Sequence, residues 1–150
     1  MRGRKGPAWS VDIKAPADKV YAYVVDISRH PQWGMDDMEI DGPAGPAEVG
    51  STYKALGTLR GKRNPSTVRI TELDPPQRIE FEVEDSSGMI GHVFTFTPVN
   101  ASTRVTRQMY AIKQPPTAPI LYVMNRGAIN RNFNGALAKL KARVEAGADA

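Results

Sequence analysis

Two polar side chains interrupt an otherwise apolar helical face near the C-terminus. The stretch Thr117–Ala146 has helical spacing, which places Arg126, Asn130 and Phe133 on one side. A helix that only covered a sheet would be apolar on that side, because an unpaired polar group buried there costs free energy. If a cavity lies beneath the helix, the guanidinium and the amide could bind a carboxylate, phenolate or carbonyl oxygen of a mostly apolar ligand. If the helix extends past the sheet, both groups are solvated instead.

A histidine among aromatic residues is a second candidate. His92 alternates with Phe94 and Phe96, so the three side chains share one face of a predicted strand. Its ordinary pKa of about 6.5 suits a general acid or base. The alternative is a hydrogen-bonded histidine near the sheet edge. Tyr53 and Tyr110 could supply phenolic donors from neighbouring strands, or could pack in the core with the hydroxyl group at a solvated end.

Several other kinds of chemistry are excluded by what the sequence lacks. The absence of cysteine removes disulfides, thiolate metal sites and cysteine nucleophiles. His30 and His92 are the two histidines, and neither has a third ligand at a recognisable spacing, so we predict no metal site. Without a glycine-rich phosphate loop or a Gly-x-Ser-x-Gly motif, we also predict no cofactor and no serine-hydrolase activity. His30 is placed in a surface helix, and Asp36-Asp37 is interpreted as a solvated turn.

Hydrophobic periodicity predicts the elements that position these residues. Trp9–Ile13 alternates apolar and polar residues, as a half-buried strand does. Pro16 then starts a helix, and a second short helical turn extends to about Trp33. A mobile loop follows over residues 34–50, with a brief strand around residues 38–40. Five further strands, separated by turn residues, are predicted at Ser51–Leu59, Ser66–Leu73, Arg78–Glu84, Ile90–Thr97 and Thr103–Ile112.

Two details of the second half refine this architecture. In Arg78–Glu84 the apolar residues predict one buried face, and the glutamates between them predict a solvated opposite face. Gly127 weakens the C-terminal helix by about 1 kcal/mol relative to alanine, and we interpret it as a bend that divides the helix. The whole chain is therefore predicted to be an α+β protein: a strand, two short helices, an antiparallel meander and one long helix.

The charge distribution argues against a nucleic-acid partner. The formal net charge is +4, and Arg2, Arg4 and Lys5 supply three of these charges. From Gly6 onward, 17 basic residues face 16 acidic ones. We therefore predict a basic tail over residues 1–8, one domain over 9–146 and a C-terminal tail over 147–150. With no signal peptide and no apolar run of membrane-spanning length, the sequence favours a cytoplasmic protein without stable membrane insertion.

Three segments carry a resemblance to a known family. They are Ile13-Lys14-Ala15-Pro16 with Val20-Tyr21, Asp26, Pro31 and Trp33; Asp74-Pro75-Pro76-Gln77-Arg78-Ile79 with Phe81; and Phe94-Thr95-Phe96-Thr97-Pro98 with Ser102-Thr103-Arg104-Val105-Thr106. Together they resemble the START-like (SRPBCC, Bet v 1-like) superfamily, in particular its polyketide cyclase/dehydrase family. The resemblance implies a helix-grip fold, in which a curved antiparallel sheet of six to seven strands surrounds the C-terminal helix and encloses an apolar cavity.

The resemblance also implies a function. Members bind lipids, sterols, polyketides, quinones or plant hormones, and some catalyse cyclisation or dehydration. We predict a monomer or homodimer that binds a small hydrophobic ligand, such as a lipid, quinone or polyketide. The predicted ligand-binding residues are Trp33, Tyr53, Phe81, His92, Phe94, Arg126, Asn130 and Phe133.

The sequence is also compatible with two alternative functions. One is a polyketide cyclase, aromatase or dehydratase, for which His92 and Tyr110 are the catalytic candidates. The other is a protein-interaction module, which is supported only by a predicted basic turn at Arg60, Lys62 and Arg63.

Overall fold

The computed structural model describes residues 6–34, 37–59 and 62–147. The basic residues Arg2, Arg4 and Lys5, the predicted solvated residue Asp36, the predicted turn residue Arg60 and the end of the tail at 148–150 lie outside these ranges. Strand β1 (Ala8–Ile13) leads into helix α1 (Ala17–Val24) and a 3-10 helix (Ile27–Gln32). The remaining elements are β2 (Glu39–Asp41), β3 (Thr52–Leu59), β4 (Lys62–Asp74), β5 (Arg78–Asp85), β6 (Gly88–Val99), β7 (Ser102–Lys113) and α2 (Ala118–Glu145).

All seven strands form one antiparallel sheet in the order β1-β7-β6-β5-β4-β3-β2. This confirms the α+β helix-grip architecture. The register sets which side chains are neighbours: Arg107 of β7 lies opposite Trp9 of β1 on one side and opposite Phe94 of β6 on the other. Because directly opposite residues point to the same face of a sheet, these three side chains form one row.

The second half of α2 closes the core. Ala136, Leu137, Leu140 and Val144 are its buried residues, and they recur at helical spacing on one face. Helix α2 continues through Gly127 without interruption, so the predicted bend is wrong. A loss of about 1 kcal/mol in helix propensity is too small to break a helix that continues on both sides of the glycine.

The predicted basic turn belongs mostly to a strand. Lys62 and Arg63 are the first residues of β4 and pair with Leu59 and Thr58 of β3. Strand β4 starts before Pro65, whereas the sequence pattern predicts its start at Ser66. Strand β4 pairs with β5 from Thr67 to Asp74. Pro65 precedes this paired part, so its missing N–H does not remove a hydrogen bond to β5.

The outer face of β5 is not uniformly solvated, which corrects the prediction from its alternating glutamates. Glu80 is only 1% exposed. Its carboxylate accepts hydrogen bonds from the Tyr110 hydroxyl group and, at 2.9 Å, from Nη2 of Arg78. Tyr110 reaches Glu80 by lying over Gly91, where an added Cβ would be 2.1 Å from the tyrosine ring. Charge and hydrogen-bond partners therefore compensate for the burial of this carboxylate.

Candidate ligand-binding site

A charged arginine lies between the sheet and α2. The guanidinium carbon Cζ of Arg107 is 4.5 Å from the ring centroid of Phe133 and 5.1 Å from that of Phe94. Phe94 comes from the neighbouring strand β6, whereas Phe133 comes from α2. Such cation–π contacts contribute about 0.5–2 kcal/mol each, depending on how far the cation is desolvated. The guanidinium is thus held between two aromatic rings.

Arg107 has no carboxylate partner within the described ranges. Its one polar contact there is Nη2 with Nδ1 of His92, at 3.3 Å. The residue keeps a partly exposed surface, but its Nε is enclosed and has no hydrogen-bond partner. Burial lowers the pKa of Arg107 from its ordinary value to about 9, so the side chain is still cationic at neutral pH. An enclosed cation without an anion is costly for folding, and such groups are concentrated at functional sites.

His92 lies beside this cation in a neutral form. Its ring is buried and stacks on Phe81 with 5.1 Å between centroids. Burial, followed by the charge of Arg107, lowers the pKa of His92 well below 6.5. Because a guanidinium can only donate, Nδ1 must accept from Arg107, which places the ring proton on Nε2. This Nε2–H is a potential donor to a ligand oxygen.

A second buried histidine extends the aromatic cluster. His30 lies in the 3-10 helix, with Nε2 2.9 Å from the carbonyl oxygen of Val24. Its ring is 4.7 Å from Trp33 and 6.1 Å from Phe81, measured between centroids. Burial lowers the pKa of His30 to about 4. The prediction that His30 lies on the surface is therefore wrong, because the 3-10 helix turns this residue toward the sheet.

Trp9 and Asn130 connect the first strand to α2. Nε1 of Trp9 donates a hydrogen bond of 2.9 Å to Oδ1 of Asn130. The indole also stacks on Phe133, with 4.5 Å between centroids and 19° between planes. Trp9 therefore fixes the position of Phe133, the helix residue whose ring contacts Arg107.

The structure brings most of the predicted ligand-binding residues to this region. Phe94, Phe133 and His92 contact Arg107, and Phe81 stacks on His92 and Phe94. Asn130 is linked to this group through Trp9, which stacks on Phe133. Trp33 is buried, with its ring 6.0 Å from that of Phe94, and Tyr53 is buried on β3.

Two predicted residues lie elsewhere. Tyr110 faces the outer side of the sheet, because it has the opposite parity to Arg107 on β7. Arg126 is exposed, together with all residues from 123 to 127. The prediction that Arg126 faces the interior is wrong, because the buried positions of α2 begin only at Ala136. The anchoring role that we had predicted for Arg126 is one that Arg107 is placed to fill.

The sequence contained a signal for Arg107. Along β7 the residues Val105, Arg107 and Met109 share one parity, so a charged residue interrupts an apolar strand face.

An open cleft of about 560 Å³ lies next to this region. Gly34, Asp37 and Thr58 line one side, and Arg131, Asn132 and Gly135 of α2 line the other. Ala136, which also lines the cleft, is one helical turn from Phe133. The cleft is lined by neither Arg107 nor Phe133, and it meets the aromatic cluster through Gly34, which follows Trp33 in the chain. Among the described residues, no group of three or more His, Asp or Glu side chains is arranged to hold a metal ion.

The fold and the enclosed cation together define a helix-grip protein with an aromatic, cationic interior. The chain belongs to the family described as polyketide cyclase/dehydrase and lipid transport, which is matched over residues 9–145. No curated protein matches it significantly. In the part of the chain that the structure describes, no helix is long and apolar enough to cross a membrane.

Solved structures show the same fold. The Zhui aromatase/cyclase from Streptomyces sp. R1128 superposes with a TM-score of 0.75 at 15% identity, covering 94% of this chain and 93% of that one. A protein from Thermus thermophilus gives a TM-score of 0.75 at 20% identity, covering 93% and 97%. Ara h 8.0201 gives 0.66 at 10% identity, covering 95% and 98%. At these identities the similarity establishes the fold, and the chemistry must be argued from the site.

Proposed function

We propose that the protein binds a small, mostly apolar ligand, such as a lipid, quinone or polyketide, whose anionic or electron-rich oxygen is held by Arg107. The observation that carries this proposal is the enclosed guanidinium, which has two aromatic contacts and no carboxylate partner in the described part of the chain. A ligand carboxylate or phenolate would supply the missing anion through charge-assisted hydrogen bonds.

The surroundings of Arg107 suit a ligand with a flat apolar body. The guanidinium lies over the rings of Phe94 and Phe133, and the Phe81 ring stacks on Phe94. The neutral His92 adds a hydrogen-bond donor without adding charge. Phe133 is the ring that belongs to the helix rather than the sheet. Movement of Phe133 away from Arg107 would therefore expose the guanidinium to a ligand.

Two fluorescent probes that differ in one group test this proposal. Anilinonaphthalene sulfonate carries an anion, and phenylnaphthylamine is the same aromatic body without it. We expect the wild-type protein to bind both at one saturable site. Arg107→Met should weaken sulfonate binding about tenfold to a hundredfold, as expected for loss of a hydrogen bond to a charged group, and should leave the neutral probe unaffected.

Arg126→Met is the matched control, because it removes an exposed arginine of the same protein. It should leave the binding of both probes unchanged. Failure of either probe to saturate a single site on the wild-type protein, or equal sulfonate binding by wild type and Arg107→Met, would refute the proposal.

A second candidate function is proton transfer on a bound carbonyl compound, as in a polyketide cyclase or dehydratase. The contact between His92 and Arg107 favours it. A carbonyl oxygen that takes over the hydrogen bond from Arg107 frees Nδ1 of His92. That nitrogen can then accept a proton from the adjacent carbon, while the electron pair moves to the oxygen facing the guanidinium.

Deuterium exchange into benzoylacetone, a diketone with an acidic methylene group, tests this candidate. We expect exchange in heavy water, followed by NMR, to exceed the buffer rate and to fall with His92→Gln and with Arg107→Met. Exchange at the buffer rate in the wild-type protein would exclude it and would leave the binding function untouched.

A further inference from the structure

The first half of α2 presents large apolar side chains to solvent. Ile120, Val123 and Met124 are 63%, 59% and 75% exposed. Their i, i+3, i+4 spacing places them on one face of the helix. These three residues point away from the helix face on which Leu140 is buried. Packing of that buried face against the sheet therefore does not cover them. We name Ile120, Val123 and Met124 the apolar helix face.

Half of the exposed large apolar residues belong to this one face. Six such residues are exposed in the described part of the chain, and Ile120, Val123 and Met124 are three of them. The others, Val49, Ile90 and Ile112, lie in the loop before β3 and on strands β6 and β7. Three apolar residues together on one helix face mark an interaction surface rather than scattered surface residues.

The charge of α2 indicates what covers the apolar helix face. Between Ala118 and Val144 the helix carries five basic residues and no acidic one. Arg126 and Arg131, the two that follow the apolar helix face most closely, are both exposed. Two copies of this helix would repel one another, so the charge opposes self-association through it. Apolar side chains that enter the headgroup region and nearby arginines that contact lipid phosphates are two contributions by which a helix binds the surface of an anionic membrane.

We propose that the first half of α2 docks reversibly on anionic lipid bilayers, with the apolar helix face entering the headgroup region and Arg126 and Arg131 contacting lipid phosphates. This interaction is peripheral, because the exposed segment is far shorter than a membrane span. It does not depend on what the interior binds.

Vesicle co-sedimentation of the full chain tests the proposal. We compare vesicles of neutral phosphatidylcholine with vesicles in which about a third of the lipid is phosphatidylglycerol. We expect binding to the anionic vesicles at least about tenfold tighter than to the neutral ones, and weakened by salt. Val123→Glu should abolish binding, and Arg126→Gln should weaken it severalfold.

Val49→Glu is the matched control, because Val49 is 63% exposed but lies in a different part of the molecule. It should bind anionic vesicles as the wild type does, and all variants should show the wild-type circular dichroism spectrum. Absence of vesicle binding by the wild type, equal binding to neutral and anionic vesicles, or undiminished binding by Val123→Glu would each overturn the proposal. So would a dimer in size-exclusion chromatography with light scattering that Val123→Glu dissociates, because the occupant would then be a second copy.

Discussion

Replacing Arg107 by methionine should make the ligand-free protein more stable. Most core substitutions destabilise, but this one removes a charge that folding places in an unfavourable environment. Methionine retains an unbranched, flexible apolar chain that can fill much of the same space between Phe94 and Phe133.

The magnitude follows from the pKa and from the ring contacts. The lowering of the Arg107 pKa to about 9 corresponds to about 5 kcal/mol against the charged form in the folded state, at about 1.4 kcal/mol per unit. The sign follows from linkage: the folded pKa of this cation is depressed, so the cost is fully present below pH 9 and disappears as the pH rises toward the ordinary pKa of arginine. Two cation–π contacts, at about 1–2 kcal/mol each, offset part of it. We expect a net gain of about 1–3 kcal/mol at neutral pH, or about 3–8 °C in Tm for a chain of this length.

Urea unfolding followed by circular dichroism measures this difference, with Arg104→Met as the control. Arg104 lies on the same strand but is exposed, and its Nε donates to Oδ1 of Asp12 at 2.9 Å. Loss of such a surface ion pair should lower the free energy of unfolding by at most about 1 kcal/mol. If Arg107→Met lowers it by more than that, the guanidinium stabilises the fold and the argument for an uncompensated cation is refuted.

Three further predictions concern other buried polar groups. His30 should make the protein lose stability from pH 6.5 down to about 4, by up to about 3 kcal/mol, because the unfolded chain takes up a proton that the folded one resists; His30→Gln should reduce the pH dependence of urea unfolding and leave the part due to His92, and an unchanged profile would contradict the assignment. Tyr110→Phe should cost about 1–3 kcal/mol, because it removes a donor from the buried carboxylate of Glu80; a neutral effect on thermal unfolding would show that solvent replaces the hydroxyl group. Trp9→Phe should cost about 1 kcal/mol through the lost hydrogen bond to Asn130, and denaturant titration would show whether the remaining stacking suffices.

Much of the fold could be predicted from local patterns. The alternation in Trp9–Ile13 and in Arg78–Glu84 identified strands within a residue or two of β1 and β5. The apolar spacing between Phe133 and Val144 identified the part of α2 that closes the core. These patterns are visible because the side chains of one strand or helix repeat with that element's own period, whatever the element later packs against.

Part of the candidate site could also be predicted. The positions of the aromatic residues Phe81 and Phe94, and of His92, which stacks on Phe81, follow from strand parity. The sequence predicts an interior guanidinium at Arg126, whereas the structure has Arg126 exposed and the side chain of Arg107 enclosed. It also offers Tyr110 as a catalytic candidate, although Tyr110 lies on the outer face with Glu80. Both errors concern which face meets which element, and a change of one residue in parity exchanges the two faces of a strand.

What the sequence by itself determined was the order of the elements, the apolar face of each one and the absence of a local catalytic motif. Only the tertiary structure decided at which residues α2 packs against the sheet. This position leaves Arg126 in solvent and puts Phe133 over Arg107. The position of α2 is set by the packing of Ala136, Leu137 and Leu140 against the core, where the fit depends on the side chains of several strands at once. The enclosed cation exists because β1, β6, β7 and α2 meet around it, and no single stretch of the chain contains that contact.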